Sequence, residues 1–338
     1  MGSGSWSTNV YAAAASYRAA TGADPFDYSA RARRGARSDW KAHPSLDPKD
    51  LTVRESRDSD EHPDSLAIAV LFDVTGSMQS VPRTLQTKLP ELFGLLLRKG
   101  YTRDPQILFG AVGDATCDRV PLQIGQFESD NRMDDDLGNI FLEGGGGGQM
   151  TESYELAMYA MARHTSLDCH EKRGRRGYLF LIGDELPYGK VKAREVRNVI
   201  GDPLTEDIPL TRLLPELQQK FDVYYLLPAG TAYSGNTKVL DPWRKLLGQN
   251  VLELDDLDAV CETIALTVGL GEEAIDLQEG LDDLADIGSD SVGTVGKALA
   301  AVARRHTPVA AAGSSLLGEA PSAGAPGTRA PGTGTTRL

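Results

Sequence analysis

The sequence predicts a doubly wound α/β fold, a mostly parallel central sheet with helices on both faces. Three observations carry this expectation. Residues 66–72 (LAIAVLF), 106–112 (QILFGAV) and 177–182 (GYLFLI) are apolar at nearly every position. Strands of that kind are buried on both faces, as in the interior of a parallel sheet. Segments with helical spacing separate them, and strands alternating with helices build a parallel sheet.

Residues 1–64 read as an irregular N-terminal extension. An Ala-rich stretch at 11–20 has the composition of a short helix. Beyond it, Pro25, Pro44, Pro48 and Pro63 interrupt any sustained apolar period. Arg31, Arg33, Arg34, Arg37 and Lys41 crowd this extension into a basic arm. The α/β domain spans 65–270. After its first strand, Leu85, Leu89, Leu92, Phe93 and Leu96 repeat three and four apart, with Pro90 placed to start a new turn or kink the helix. A short third strand is expected at 122–127, and a helix at 151–164 with Tyr154, Ala157, Met158 and Met161 on one face. Further strands are expected at 222–227 and 251–254, with a helix around 243–247 between them. Residues 271–306 read as acidic helices, striped by Ala274, Leu277, Leu281 and Leu284 and then by Val292, Val295, Leu299 and Val302. Residues 307–338 are Ala, Gly, Pro, Ser and Thr, a composition expected to be disordered.

Composition narrows the function. The formal net charge is −13, which argues against nucleic acid as a partner because phosphate contacts need a basic face. No apolar run approaches the roughly 20 residues that cross a bilayer, so no membrane association is expected. Cys117, Cys169 and Cys261 are odd in number and widely spaced, which fits neither a disulfide framework nor a zinc site. A reducing cytoplasm is the expected compartment. From Gly248 to Gly296 there is no Lys or Arg at all. Two solvated surfaces of opposite sign, or a basic arm docked on the acidic helices or on an acidic partner, are the two readings of that asymmetry.

The polar residues of interest sit where strands end. Three buried strands run into a carboxylate: Asp73, Asp114 and Asp184. Ligands of open α/β sheets bind outside the carboxyl ends of the strands. Asp73 is followed by hydroxyls at Thr75 and Ser77, so one tight turn offers a carboxylate and two alcohols. Hard oxygen donors with few formal charges suit Mg²⁺. The competing reading of the same residues is an N-cap and turn with no ion.

Residues 71–78, LFDVTGSM, resemble the first motif of von Willebrand factor A (VWA) domains, the Asp-x-Ser/Thr-x-Ser of the metal-ion-dependent adhesion site. The resemblance extends over about 66–268. It implies Asp73, Thr75 and Ser77 at the metal, and Asp184 of LIGD as the third motif. The second motif is a Thr in a Gly-rich loop before a helix, which implies Thr151 beyond Gly144–Gly148. Here the sequence departs from the family. Counting back from Glu152 places Gly148 at the family's threonine position, so Gln149 or a water are alternatives to Thr151. The resemblance further implies Mg²⁺, with Mn²⁺ or Ca²⁺ as substitutes, and an Asp or Glu of a protein partner completing the coordination. It implies a binding module and not an enzyme. Relatives that act as adaptors for MoxR-type AAA+ ATPases make such a complex the expected partner.

Rival chemistries fit less well. An aspartyl phosphatase needs a second Asp where Thr75 stands. A P-loop needs Gly-Lys-Ser/Thr, and no Lys follows Gly148. His164, Asp168, Cys169, His170 and Glu171 lack metal-ligand spacing and read as a helix end with a polar loop. Asp114 and Asp118 read either as support around the metal or as residues that only shape their loop. Two other classes remain. One is a metal-dependent hydrolase with Glu185 or Asp114 as general base. The other is a structural part of a large assembly.

Overall fold

The computed structural model describes residues 4–49, 52–145 and 148–306, except the side chains of Ser77, Arg305 and His306. The tail expected to be disordered, 307–338, lies outside the described residues.

Six strands form a mixed, mostly parallel sheet: β1 (Ser65–Asp73), β2 (Asp104–Val112), β3 (Leu122–Ile124), β4 (Gly177–Ile182), β5 (Phe221–Pro228) and β6 (Val251–Leu254). Their order is β6-β5-β4-β1-β2-β3. All nine residues of β1 are buried, as its unbroken apolar run requires of a strand covered on both faces. It pairs in parallel with β2, from Ser65 opposite Asp104 to Asp73 opposite Val112, and with β4, from Ile68 opposite Tyr178 to Phe72 opposite Ile182. The β3 strand closes one edge antiparallel to β2. The chain therefore builds outward from β1 to β2 and β3, then returns to the far side of β1 to lay down β4, β5 and β6. Strand order reverses between β1 and β4.

Eight longer helices accompany the sheet: α1 (Thr8–Thr21), α2 (Ser80–Phe93), α3 (Tyr154–Arg163), α4 (Leu210–Lys220), α5 (Thr237–Leu247), α6 (Val260–Gly271), α7 (Leu277–Asp286) and α8 (Val292–His306). One group packs α6 against α2, α7 and α8, and another packs α3 against α4. Every residue of α6 from Val260 to Leu270 is buried, the polar Glu262, Thr263 and Thr267 included, as befits a mostly apolar helix enclosed by its neighbours.

Pro90 neither breaks nor ends α2, which instead runs on into a single π-helical segment at Gly94–Arg98. A proline has no N–H to offer the carbonyl four residues back. That carbonyl, on Gln86, accepts a 2.6 Å hydrogen bond from the Tyr11 hydroxyl of α1. Burial pushes the Tyr11 phenol up to about 12, so it remains a donor at neutral pH. Trp6 stacks on Phe93 at 4.5 Å between ring centroids and reinforces the same joint.

The rest of the extension is bound as firmly. Arg54–Ser56 pairs in parallel with Thr165–Leu167. The Ile124 N–H of edge strand β3 donates to the Leu46 carbonyl at 2.9 Å, and Arg54 donates to the Ile124 carbonyl at 2.8 Å. Covering an edge strand in this way removes a template for aggregation. Arg57 bridges Asp168 and Glu171, while Asp58 receives Lys172 and Arg173. His164 sits between the Thr52 carbonyl and Asp202. These polar residues near 164–173 thus hold the extension in place.

The basic arm docks elsewhere than on the acidic helices. Arg37 pairs with Glu143 and donates to the Cys117 carbonyl, and Arg33 donates to the Leu142 carbonyl. Both lie beside the start of the Gly-rich loop. The acidic helix α7 takes Lys99 instead, through Asp283 and Asp286, and Tyr101 donates to Asp283.

Tyr11→Phe leaves the buried Gln86 carbonyl without a donor and should cost about 1–3 kcal/mol. Urea denaturation checks this against Tyr17→Phe, at a 68%-exposed position where a change within about 0.5 kcal/mol is expected.

Candidate metal centre

Because β1, β2 and β4 are parallel, Asp73, Asp114 and Asp184 all fall at one edge of the sheet. All three are fully buried. The β1/β4 reversal lies between Asp73 and Asp184, the place where an α/β sheet holds its ligand.

Asp73 ends β1, and the turn behind it folds back on its carboxylate. The Thr75 N–H donates to Asp73 Oδ1 at 2.6 Å, and the Thr75 hydroxyl bonds the same carboxylate. The Gly-rich loop lies against this turn: Gly76 N–H donates to the Gly145 carbonyl at 2.7 Å, and Gly144 N–H donates to the Val74 carbonyl at 3.2 Å. Gly144 has φ +66°, a left-handed conformation in which a side chain would be strained. From below, the buried Tyr154 hydroxyl donates to Asp73 Oδ2 at 3.4 Å. It passes so close to Gly183 that a Cβ there would lie 1.8 Å from the phenol oxygen. Gly183 is therefore a packing requirement of the site.

Two glutamates complete the cluster. Thr151–Glu152 forms a two-residue parallel bridge with Leu186–Pro187, which brings the loop before α3 next to the loop after β4. Ligand atoms of Asp73, Glu152 and Glu185 lie within 4.8 Å of one another, and all three residues are buried. Glu152 and Glu185 share a carboxyl–carboxylate hydrogen bond, and their Oε2 atoms have no other hydrogen-bond partner among the described residues. Other buried glutamates, such as Glu155 and Glu262, also carry an oxygen without a partner, but only here, among the described residues, do three acids converge, and a cation suits such a convergence. The Glu185 backbone is fixed by its carbonyl, which accepts from Tyr225 at 3.0 Å and from Trp243 at 2.8 Å. Tyr154, Tyr225 and Trp243 pack ring against ring beneath the three acids.

The expected ligands are distributed as follows. Asp73 belongs to the cluster. Thr75 touches it through Asp73. Asp184 lies on the same edge, close enough to raise the Asp73 carboxyl, and its Oδ2 accepts from the Tyr233 N–H at 3.2 Å. The Thr151 hydroxyl turns toward Tyr188. Gln149 donates to Asp114, Thr116 and Tyr188. The side chain of Ser77 lies outside the described residues. Asp114 accepts from Thr116, Gln149 and Tyr188, so its oxygens are engaged in a side-chain network next to the three acids. Asp118 supports that network by accepting from the Asp114 N–H at 2.7 Å.

No family model matches the sequence, and no curated protein matches it. Similar solved structures include the pilus adhesin SpaC from Lactobacillus rhamnosus GG in an open conformation, with TM-score 0.43 and 9% identity over 64% of this chain and 31% of that chain. A second form of SpaC gives TM-score 0.43 and 11% identity over 65% and 32%. Proximal thread matrix protein 1 from the mussel byssus gives TM-score 0.40 and 11% identity over 60% and 47%. The chain spans about a third of the adhesin and under half of the matrix protein. At these TM-scores the likenesses assign neither a family nor a function.

Burial is the largest influence on the three acids. It pushes Glu185 up to about 7 and Asp73 up to about 8, with Glu152 higher still, and their mutual repulsion adds to it. A carboxyl raised in the folded state binds its proton more tightly there than in the unfolded chain. Its stabilising contribution is then complete below the unfolded value, near 4, and is lost as pH rises through 7 and 8. The metal-free protein should therefore melt several degrees lower at pH 8 than at pH 5. Glu152→Gln should flatten that slope and raise the metal-free Tm at pH 8, as read by differential scanning calorimetry in EDTA. Gly183→Ala should destabilise the protein by roughly 1–3 kcal/mol by driving Tyr154 out of place.

Proposed function

We propose that this chain is a VWA-like, cation-dependent protein-binding module. The single observation that carries the reading is the Asp73–Glu152–Glu185 cluster at the reversal of strand order, three buried acids that among the described residues have only one another, the Asp73 turn and Tyr154 for side-chain partners. In this reading the sheet is doubly wound and Rossmann-like, and the three acids hold a divalent cation, with Thr75 and Asp184 flanking it. The ion ties together the turn after β1, the loop before α3 and the loop after β4, and it offers an open position to a partner. Mg²⁺ is the resident ion, with Mn²⁺ and Ca²⁺ as substitutes that oxygen donors also accept.

We read the site as binding rather than catalytic, with Glu185, one of the two candidate bases, taken as a ligand of the ion. Asp114, one candidate base for a hydrolase, already accepts from Thr116, Gln149 and Tyr188. Among the described residues no helix is long and apolar enough to cross a membrane, and the three cysteines are free. A cytoplasmic site of action, and a partner of the AAA+ ATPase kind, belong to the proposal on the strength of the sequence resemblance alone.

Terbium provides the test, because Tyr154 and Trp243 contact the residues of the cluster and can sensitise its emission. Excitation of these rings should produce terbium luminescence that Mg²⁺ or Mn²⁺ competes away. Asp73→Asn and Glu152→Gln should each weaken ion binding by at least about tenfold. Pull-down from the native cell should recover a partner in Mg²⁺ and lose it in EDTA. Wild-type protein that binds no ion would sink the reading.

A further inference from the structure

We infer that the open coordination position of this centre takes a neutral oxygen donor, such as a peptide carbonyl, a side-chain amide or a hydroxyl, and disfavours a carboxylate. The inference rests on the metal reading above and changes what that reading expects of the partner.

The argument is one of charge. A site built from one aspartate and two alcohols leaves a divalent ion with net positive charge. An incoming carboxylate then gains more than the water it displaces. The donor set here is different. Asp73, Glu152 and Glu185 supply three carboxylates within 4.8 Å of one another. A divalent cation takes the place of the protons these acids otherwise keep, and with all three carboxylates on the ion the centre is left at net −1.

The surroundings make the balance more negative. Asp184 and Asp114 are buried at the same edge. The charged neighbours that act most strongly on the three acids are Asp184, Asp114 and Asp118, together with the acids themselves. Among the described residues no Lys or Arg forms an ion pair with Asp73, Glu152 or Glu185. Of the two arginines of the basic arm beside the Gly-rich loop, Arg37 is paired with Glu143 and Arg33 donates to the Leu142 carbonyl, away from the three acids.

Burial sharpens the discrimination. The exposures of Asp73, Glu152 and Glu185 are 0%, 2% and 9%, so little water screens the repulsion of a further anion. A carbonyl or alcohol oxygen brings a dipole that points at the ion without adding charge, and Mg²⁺, Mn²⁺ and Ca²⁺ all accept such ligands. A partner would thus be recognised through a main-chain carbonyl or an Asn, Gln, Ser or Thr side chain.

Acetate and acetamide, nearly identical in shape and opposite in this one respect, provide the test. Full-length protein is loaded with Mn²⁺, and the relaxation rate of water protons reports water on the bound ion. Each compound is then titrated at matched ionic strength. Acetamide should displace ion-bound water at a concentration roughly tenfold lower than acetate does. The inference is overturned if acetate displaces water as readily as acetamide or more so. It is equally overturned if neither displaces any, since no position is then open. Glu185→Gln adds a second reading by removing one charge: the preference for acetamide should narrow, and an unchanged preference would rule out charge as its cause. Failure of the metal reading looks different, because the wild type would then give no Mn²⁺-dependent enhancement at all.

Discussion

Several carboxylates buried at one edge of one sheet are the constraint on which the rest of this structure turns. Removing a charge from water costs several kcal/mol even after relaxation, and clustering like charges adds to it. Such a group has two ways out. It can keep its protons, as the raised carboxyls of Asp73, Glu152 and Glu185 do, or it can share a cation. The protein around these acids is organised to prevent a third, which is to relax them into solvent. Tyr154, Tyr225 and Trp243 wall them from beneath, the Gly-rich loop lies against the Asp73 turn, and the Glu185 backbone is clamped by two aromatic donors. This much rigidity around an unfavourable charge pattern is costly for a fold that has no use for it.

Much of the fold was legible in the sequence because burial on both faces writes itself as unbroken apolar runs. β1, β2, β4 and β5 fall where those runs lie, the short β6 shows the alternation of a half-buried strand, and α2 follows its three-and-four spacing. The elements that escaped notice are those whose pattern is ambiguous. The helix α6 is apolar around most of its circumference, so it shows no clear stripe, and α4 carries Pro215 in the middle of its pattern. Pro90 had been expected to start a turn or kink its helix. Its missing hydrogen bond is instead made good from outside by Tyr11, a contact 75 residues away that no local pattern encodes.

The acidic cluster contains Asp73, which the sequence singled out, and lies one residue from two of its other candidates. Sequence reasoning selected Thr151 and Asp184, and the cluster contains Glu152 and Glu185, their immediate neighbours. In extended chain successive side chains point to opposite sides, so a slip of one position exchanges the residue facing the site for the one facing away. The bridge between Thr151–Glu152 and Leu186–Pro187 sets that parity, sending Glu152 inward and the Thr151 hydroxyl toward Tyr188. A signal was present. Glu152 and Glu185 are acids placed next to a Gly-rich loop and a buried strand end, but a search for hydroxyl donors passes over them.

The extension extends the same logic from the site to the whole chain. It had been read as irregular chain ahead of the domain, yet it supplies the partner for Gln86, covers β3 through Leu46, and anchors Asp58 among Lys172 and Arg173. Its arm also reaches the site's own loop. The Ser29 hydroxyl is hydrogen-bonded to both the N–H and the carbonyl of Leu142, and Arg37 holds Glu143, one residue before the glycines begin. Glycines contribute almost no preference of their own for a conformation. The glycines that lie against the Asp73 turn therefore have to be positioned from their flanks. One end is fixed by the Glu152 bridge, and the other by a basic arm whose charges would otherwise have no evident place on the domain.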